Sequence, residues 1–315
     1  MHSSVRDGGE MKSVIQSWQD LDRAALIPAL VVFAVHAVLG ARYDIFRDEL
    51  YFIVCGQHPS FGYVDQPPLV PLMAAALYKL SPAAWCIRLP VALAAGALVW
   101  LAARFCRFLG GDGLSVALAA LAAAIAPMLM GLTSTLNTSA FDPLVWTAIA
   151  YCLVRSLREG SDSPLRYAGI IAGLALQIKY AVVFWVLGLT VGLLLTPERR
   201  LLLRPAFWQG VAMMAVIAVP SFVWQFVHGL PFLELASAAK DKNADVAFLP
   251  FMGNQVFVMN PGFAPLWLSG LCAPFLVKSL RDARFLVIAA IVVMSLSGWG
   301  MARTTTSRRC TRPSL

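Results

Sequence analysis

Carboxylates are concentrated between residues 41 and 69, in a segment that separates long apolar runs. Asp48 and Glu49 are adjacent, and Asp65 follows Glu49 by sixteen residues. A carboxylate within reach of a hydroxyl group can take its proton as the oxygen attacks another atom, which is general base catalysis. Ionisable residues in or next to a membrane are costly and are usually kept for function. The pattern predicts an acid–base site in this segment, although a solvated loop whose acids only face water is the alternative.

A single charge, Lys179, interrupts the apolar run from Tyr167 to Leu195. As one helix this run would be about 43 Å long at 1.5 Å per residue, and it would carry the arginines that follow it to the wrong side of the membrane. We therefore expect two short helices that meet near Lys179 and Tyr180, with the lysine at the outer membrane face. The alternative role for Lys179 is to extend toward the lipid headgroups.

Two further polar residues are predicted at the same face. Asp142 lies in Phe141-Asp142-Pro143, where an aspartate before proline can cap a helix or, in a pocket, bind a sugar. His228 follows the apolar run from 206 to 227. All these side chains are expected to share one outer pocket.

The amino-acid composition predicts that transmembrane helices position this pocket. Of 315 residues, 59% are hydrophobic and 13% are charged, with a mean hydropathy of +0.72, whereas a soluble domain carries about 25% charge. The fold class is therefore an all-α polytopic membrane protein with about eight or nine transmembrane helices. The net charge of +8 does not indicate nucleic acid as a partner, because the basic residues cluster between apolar runs, as in cytoplasmic loops.

The positive-inside rule gives a domain map with the pocket on the extracytoplasmic face of the plasma (inner) membrane. It predicts a cytoplasmic segment over 1–23 and a transmembrane domain over 24–301, with outer loops at 41–83 and 228–262. The tail, 302–315, differs in composition and has four arginines. We interpret it as a truncated or frame-shifted end, or as a final helix that does not fully insert.

Several motifs resemble the dolichyl-phosphate-mannose protein mannosyltransferase-like family, of the glycosyltransferase family 39 type. RDELY (47–51) followed by DQPPL (65–69) is similar to the family's first outer loop. The aromatic residues of this segment favour the membrane boundary and predict short interfacial helices there. The segment 135–146 resembles the family's second acidic site, 173–180 its Leu-x-x-Lys-Tyr segment, and 224–231 a segment of bacterial members. The resemblance implies a GT-C-type helical bundle.

The resemblance also implies a reaction. The donor would be a polyprenyl-phosphate-linked sugar, and the sugar would be transferred with inversion to a hydroxyl of a protein, lipid or glycan acceptor on the outer side. Asp48 is the expected base, and Lys179 would stabilise the departing lipid phosphate. Glu49 is the second catalytic candidate, as a group that orients the base or binds sugar hydroxyls, unless it only pairs with Arg47 or Arg42. The predicted substrate-binding residues are Arg47, Tyr51, Asp65, Asp142 and Lys179.

No cofactor is certain. Among relatives the acidic residue before the prolines can help to hold a divalent metal ion, which implies Asp65, with His228 as a second weak candidate. One carboxylate and one distant histidine fall short of the three or four ligands of a firm zinc site.

Two other functions stay open at this point. A secondary transporter or lipid flippase would also be polytopic, but transporters tend to have inverted repeats and charges near the bilayer midplane. An inactive, truncated relative of the family is the second alternative.

Overall fold

A computed structural model describes residues 25–242 and 248–296, and every regular element in these ranges is a helix. The predicted segment 1–23, the tail 302–315 and the last residues of the final predicted span lie outside the described residues. The α-helices of the described ranges are α1 (Ala25–Gly40), α2 (Arg47–Gln57), α3 (Leu69–Leu80), α4 (Ala84–Phe108), α5 (Gly113–Ile125), α6 (Pro127–Leu132), α7 (Asp142–Glu159), α8 (Ser163–Leu176), α9 (Val182–Leu194), α10 (Pro205–Val227), α11 (Pro231–Lys242), α12 (Phe248–Val258), α13 (Ala264–Leu276) and α14 (284–296).

Helix length and hydropathy agree with a membrane bundle. Within the described ranges, three helices are long and apolar enough to cross a membrane alone: α4, α10, and α7 with the 3-10 turn before it. Helix α9 and the 3-10 helix Pro197–Leu203 form a bent fourth candidate, with 114° between them. Five shorter apolar helices complete the set. The total of eight or nine spans stays a prediction.

The apolar run from about Leu114 to Gly131 predicts the third transmembrane span as one helix, but this helix is not continuous in the structure. Helix α5 ends at Ile125, and α6 begins at Pro127. Ala126 between them is extended, with φ −66° and ψ 119°. Proline has no backbone N–H and disfavours a helical conformation in the residue before it. The sequence expectation of one helix from Leu114 to Gly131 overlooked this break.

The run from Tyr167 to Leu195 is broken as the sequence predicts. Helix α8 ends at Leu176 and α9 begins at Val182, so Lys179 lies in the gap. Helix α8 packs closely against α10 at Gly169, where an added Cβ atom would collide with the carbonyl oxygen of Gly210. Nearer to Lys179, the side-chain amide of Gln177 donates to the carbonyl oxygen of Ile217 on α10.

Basic side chains stabilise the end of the bundle opposite to Lys179. Arg158 forms a 2.6 Å ion pair with Asp282 and donates to the carbonyl oxygen of Phe108, which joins α7 to α4 and to the 3-10 helix before α14. Arg204 lies 3.6 Å from Asp162 at the start of α8. We refer to this end as the basic end.

An apolar core lies beneath α2 and α3 at the other end, which we call the acidic end. Its buried members come from α2, α3, α4 and the segment 136–141 before α7. They are Phe52, Ile53, Val70, Ala74, Ile87, Val91, Ala94, Leu136, Ala140 and Phe141. The acidic outer segment is therefore packed onto the bundle rather than being a solvated loop.

Candidate active site at the acidic end of the bundle

A buried ion pair holds α2 in place. Glu49 is fully buried, and its Oε2 atom accepts a 2.6 Å bond from Arg88 on α4. The same carboxylate accepts backbone N–H bonds from Phe46, at 2.8 Å, and from Leu136, at 2.8 Å. Burying a charge is costly unless it is paired and hydrogen-bonded, and Glu49 satisfies both conditions.

Arg88 uses all five of its N–H groups. Besides Glu49, its guanidinium donates to the carbonyl oxygens of Gly40, Tyr43 and Asp44, at 2.8 to 3.0 Å. It therefore joins the end of α1, the turn before α2 and α2 itself.

The structure excludes the alternative that Glu49 only pairs with Arg47 or Arg42, because its partner is Arg88. From the sequence, Arg88 near the start of an apolar run is expected to be an interface anchor, or a second group that stabilises the lipid phosphate. It is instead buried in the protein. Glu49 itself, one of the two expected catalytic residues, has both carboxylate oxygens engaged by the protein.

Asp48 lies next to this anchor but points outward. Its side chain is 52% exposed and lies 3.1 Å from the Nε atom of Arg47, whose side chain is 87% exposed. The helix places consecutive residues about 100° apart, so the buried Glu49 fixes the direction of Asp48. The arrangement gives an accessible carboxylate on a rigid helix, with one exposed cation beside it.

Tyr51 connects α2 to the DQPPL segment. Its hydroxyl donates a 2.7 Å hydrogen bond to Oδ1 of Asp65. Partial burial, and then the bond to Asp65, raise the pKa of Tyr51 above its ordinary value. The phenol therefore stays protonated and acts as a donor near neutral pH.

Lys179 lies in a second polar cluster, in the gap between α8 and α9. Its Nζ atom donates to Oγ of Ser139, at 2.6 Å, and to Oδ2 of Asp142, at 3.1 Å. Asp142 is the first residue of α7 and not its N-cap, which is Phe141 without a side-chain cap bond. The carboxylate of Asp142 therefore holds the ammonium group rather than capping the helix. Ser139 was not identified from the sequence, because isolated serines carry no pattern.

Backbone contacts join the two clusters. The N–H of Leu69, which follows the prolines, donates a 3.0 Å bond to the carbonyl oxygen of Gln177, two residues before Lys179. The buried Gln225 on α10 donates to the carbonyl oxygen of Tyr63. The loop that contains Asp65 is thus attached to α8 and α10, which brings the first acidic cluster toward the Lys179 cluster.

His228 has a different environment. Its ring stacks on Trp224 at 4.1 Å, and its Nδ1 atom lies 2.7 Å from the Trp224 carbonyl oxygen. No set of three or more His, Cys, Asp or Glu side chains in the described ranges is arranged to hold a metal ion. Asp65 and His228 therefore do not form part of a metal-binding set in the described ranges.

The geometry fits a reaction in which one group accepts a proton and another stabilises a negative charge that develops on a leaving group. An exposed carboxylate at Asp48 can accept a proton, and the ammonium group of Lys179 can stabilise a developing anion. Arg47, Tyr51, Asp65 and Asp142 each have polar contacts around these two groups. Their roles toward a substrate stay predictions.

Comparison with known proteins gives three similarities. The family described as dolichyl-phosphate-mannose-protein mannosyltransferase matches residues 65–224. Lipid A galacturonosyltransferase RgtD of Rhizobium johnstonii is 32% identical over 192 residues, which cover 59% of this chain and 39% of that protein. The crystal structure of ArnT from Cupriavidus metallidurans bound to undecaprenyl phosphate has a similar fold, with a TM-score of 0.62 and 19% identity over 93% of this chain and 60% of that chain.

Proposed function

The chain belongs to the dolichyl-phosphate-mannose-protein mannosyltransferase family, and from this premise we propose that it is a membrane glycosyltransferase that transfers a sugar from a polyprenyl phosphate to an acceptor hydroxyl. The observation that carries the proposal is the pairing of two polar clusters at one end of the bundle. One has the exposed carboxylate of Asp48, and the other has the half-buried ammonium of Lys179.

The exposed carboxylate of Asp48 takes the proton of the acceptor hydroxyl. The acceptor oxygen then bonds to the anomeric carbon from the side opposite to the phosphate, which inverts that carbon. The rigid attachment of α2 through Glu49 and Arg88 supports this role, because a base must lie within hydrogen-bond reach of the proton it abstracts. Glu49 is then a positioning residue that acts through Asp48.

The bond from the anomeric carbon to the phosphate oxygen breaks, and its electron pair leaves with the lipid phosphate. Lys179 stabilises the charge that this oxygen gains. Ser139 and Asp142 hold the ammonium group, which has three N–H donors, so one N–H is left for the phosphate. The transporter alternative assigns no role to an outward-facing base beside such a cluster.

The donor that we propose is an undecaprenyl-phosphate-linked sugar, since the ArnT structure contains undecaprenyl phosphate. The acceptor that we propose is a lipid, by analogy with the lipid A galacturonosyltransferase. We also propose that the protein lies in the inner membrane with the acidic end extracytoplasmic, which agrees with the arginines of the basic end facing the cytoplasm. The chain spans less than two thirds of the length of both relatives.

The proposal is tested with membranes that contain the full chain and a panel of radiolabelled undecaprenyl-phosphate sugars. We expect transfer or donor hydrolysis by the wild-type protein, and its loss in Asp48→Asn. The matched control is Asp44→Asn, because Asp44 contributes only its carbonyl oxygen to Arg88. If Asp48→Asn turns over the donor as fast as Asp44→Asn at equal protein level, Asp48 is not the base.

A further inference from the structure

Helix α2 exposes apolar side chains although it does not span the membrane. Its eleven residues extend about 16 Å, and the hydrocarbon core is about 30 Å thick. One face packs on the bundle through Glu49, Phe52, Ile53 and Gly56. The opposite face has Leu50 and Val54, both about half exposed.

The exposed face continues to Val64, the residue before the DQPPL segment. Tyr51 lies next to Val54 on the helix surface, and its hydroxyl binds Asp65, the residue after Val64. We call Leu50, Tyr51, Val54 and Val64 the α2 apolar face; they are between 42% and 55% exposed. On a helix at a membrane surface, apolar side chains that protein does not cover contact lipid.

A cation lies on the same face. Arg47 precedes Leu50 by three residues, Tyr51 by four and Val54 by seven, so all four lie along one stripe of the helix. Its partner in the structure is Asp48, the expected base. An apolar stripe with an exposed arginine complements a lipid with an anionic headgroup, because arginine forms two parallel hydrogen bonds with a phosphate.

We propose that the α2 apolar face binds the acceptor, and that the acceptor is a lipid that has both a phosphate and a free hydroxyl. This inference deepens the proposed function and rests on it. The acyl chains lie on Leu50 and Val54, and the phosphate binds Arg47. When Arg47 turns to the phosphate, the Asp48 carboxylate is released to accept the proton of the lipid hydroxyl. Binding of the correct acceptor thus prepares the base.

The test measures equilibrium binding to the full chain in phosphatidylcholine nanodiscs. The probes are fluorescent lipid A and its dephosphorylated form, with fluorescent phosphatidylcholine, which has no free hydroxyl, as the reference bilayer lipid. Arg47→Gln removes the cation, and the double variant Leu50→Gln/Val54→Gln makes the face polar. The matched controls are Arg42→Gln, an exposed arginine of the turn before α2, and Leu203→Gln, an exposed leucine at the basic end.

We expect the wild-type protein to bind the phosphorylated lipid about 3- to 10-fold more tightly than the dephosphorylated one. Arg47→Gln should abolish this difference. The double variant should weaken binding of both forms about tenfold, and both controls should bind as the wild type does.

Three results would overturn the inference. They are a phosphate preference that persists in Arg47→Gln, a double variant that binds lipid A as the wild type does, and wild-type binding of lipid A no tighter than of phosphatidylcholine. The last result would mean that the face contacts only bulk bilayer lipid. The donor assay separates this failure from that of the proposed function, which falls if the wild type turns over none of the donors while it binds lipid A.

Discussion

The Glu49–Arg88 pair gives the sharpest prediction about how this site is held. Glu49→Gln replaces one carboxylate oxygen with an NH₂ group, although both oxygens accept N–H bonds from Arg88 and from the backbone. At least one donor would then face another donor, and Arg88 would lose its counter-charge in a buried place. Removing one partner of a buried ion pair costs about 3–5 kcal/mol, and we expect a loss of this size in the free energy of unfolding.

The assay is reversible unfolding of the purified protein in detergent, followed by tryptophan fluorescence. Glu159→Gln is the matched control, because it breaks the Arg155–Glu159 pair, whose side chains are 46% and 38% exposed. Exposed helix pairs contribute about 0.3–0.5 kcal/mol. The double variant Glu49→Gln/Arg88→Met should be less destabilised than the sum of its single variants, because it leaves no unpaired charge.

Two outcomes would refute this reasoning. One is a Glu49→Gln variant that is no less stable than Glu159→Gln. The other is strict additivity in the double variant, because two residues that share a buried pair must be energetically coupled. Either result would mean that water or another group satisfies Arg88, and the rigid attachment of α2 would lose its basis.

Three further predictions follow from the same geometry. Lys179→Met should lower the rate of sugar transfer about 100-fold, whereas Lys79→Met, which changes an exposed lysine at the end of α3, should leave it unchanged; equal initial rates for both would remove Lys179 from the phosphate role. The raised pKa of Tyr51 means that any stability from its protonated hydroxyl is present below the ordinary pKa, about 10, and is lost only as pH rises through the higher folded-state pKa. The difference in unfolding free energy between wild type and Tyr51→Phe should therefore be constant from about pH 7 to 9, and a change within that window would contradict the assignment. Gly169→Ala should cost about 1–3 kcal/mol, because its Cβ would meet the Gly210 carbonyl, whereas Gly131→Ala, with nothing within 4 Å, should cost nothing in thermal unfolding.

The family and the helical class could be predicted from the sequence. Hydropathy excludes a soluble fold regardless of detail, and the RDELY and DQPPL motifs have a specific spacing. The match over residues 65–224 confirms the resemblance. The break near Lys179 was also predictable, because a long apolar run with one charge and a basic end has few arrangements in a membrane.

The pairing of the charges could not be predicted in the same way. For Glu49 the sequence left open a partner within the same segment, Arg47 or Arg42, whereas the structure pairs it with Arg88, thirty-nine residues away. For Asp142 it left open a helix cap or a sugar-binding group, and packing places the carboxylate against Lys179. Local sequence thus identified the residues whose types can do chemistry, and it identified the helical class of the fold around them. Which of these residues touch was decided by the tertiary structure, because buried charges select partners by the packing of distant helices and not by distance along the chain.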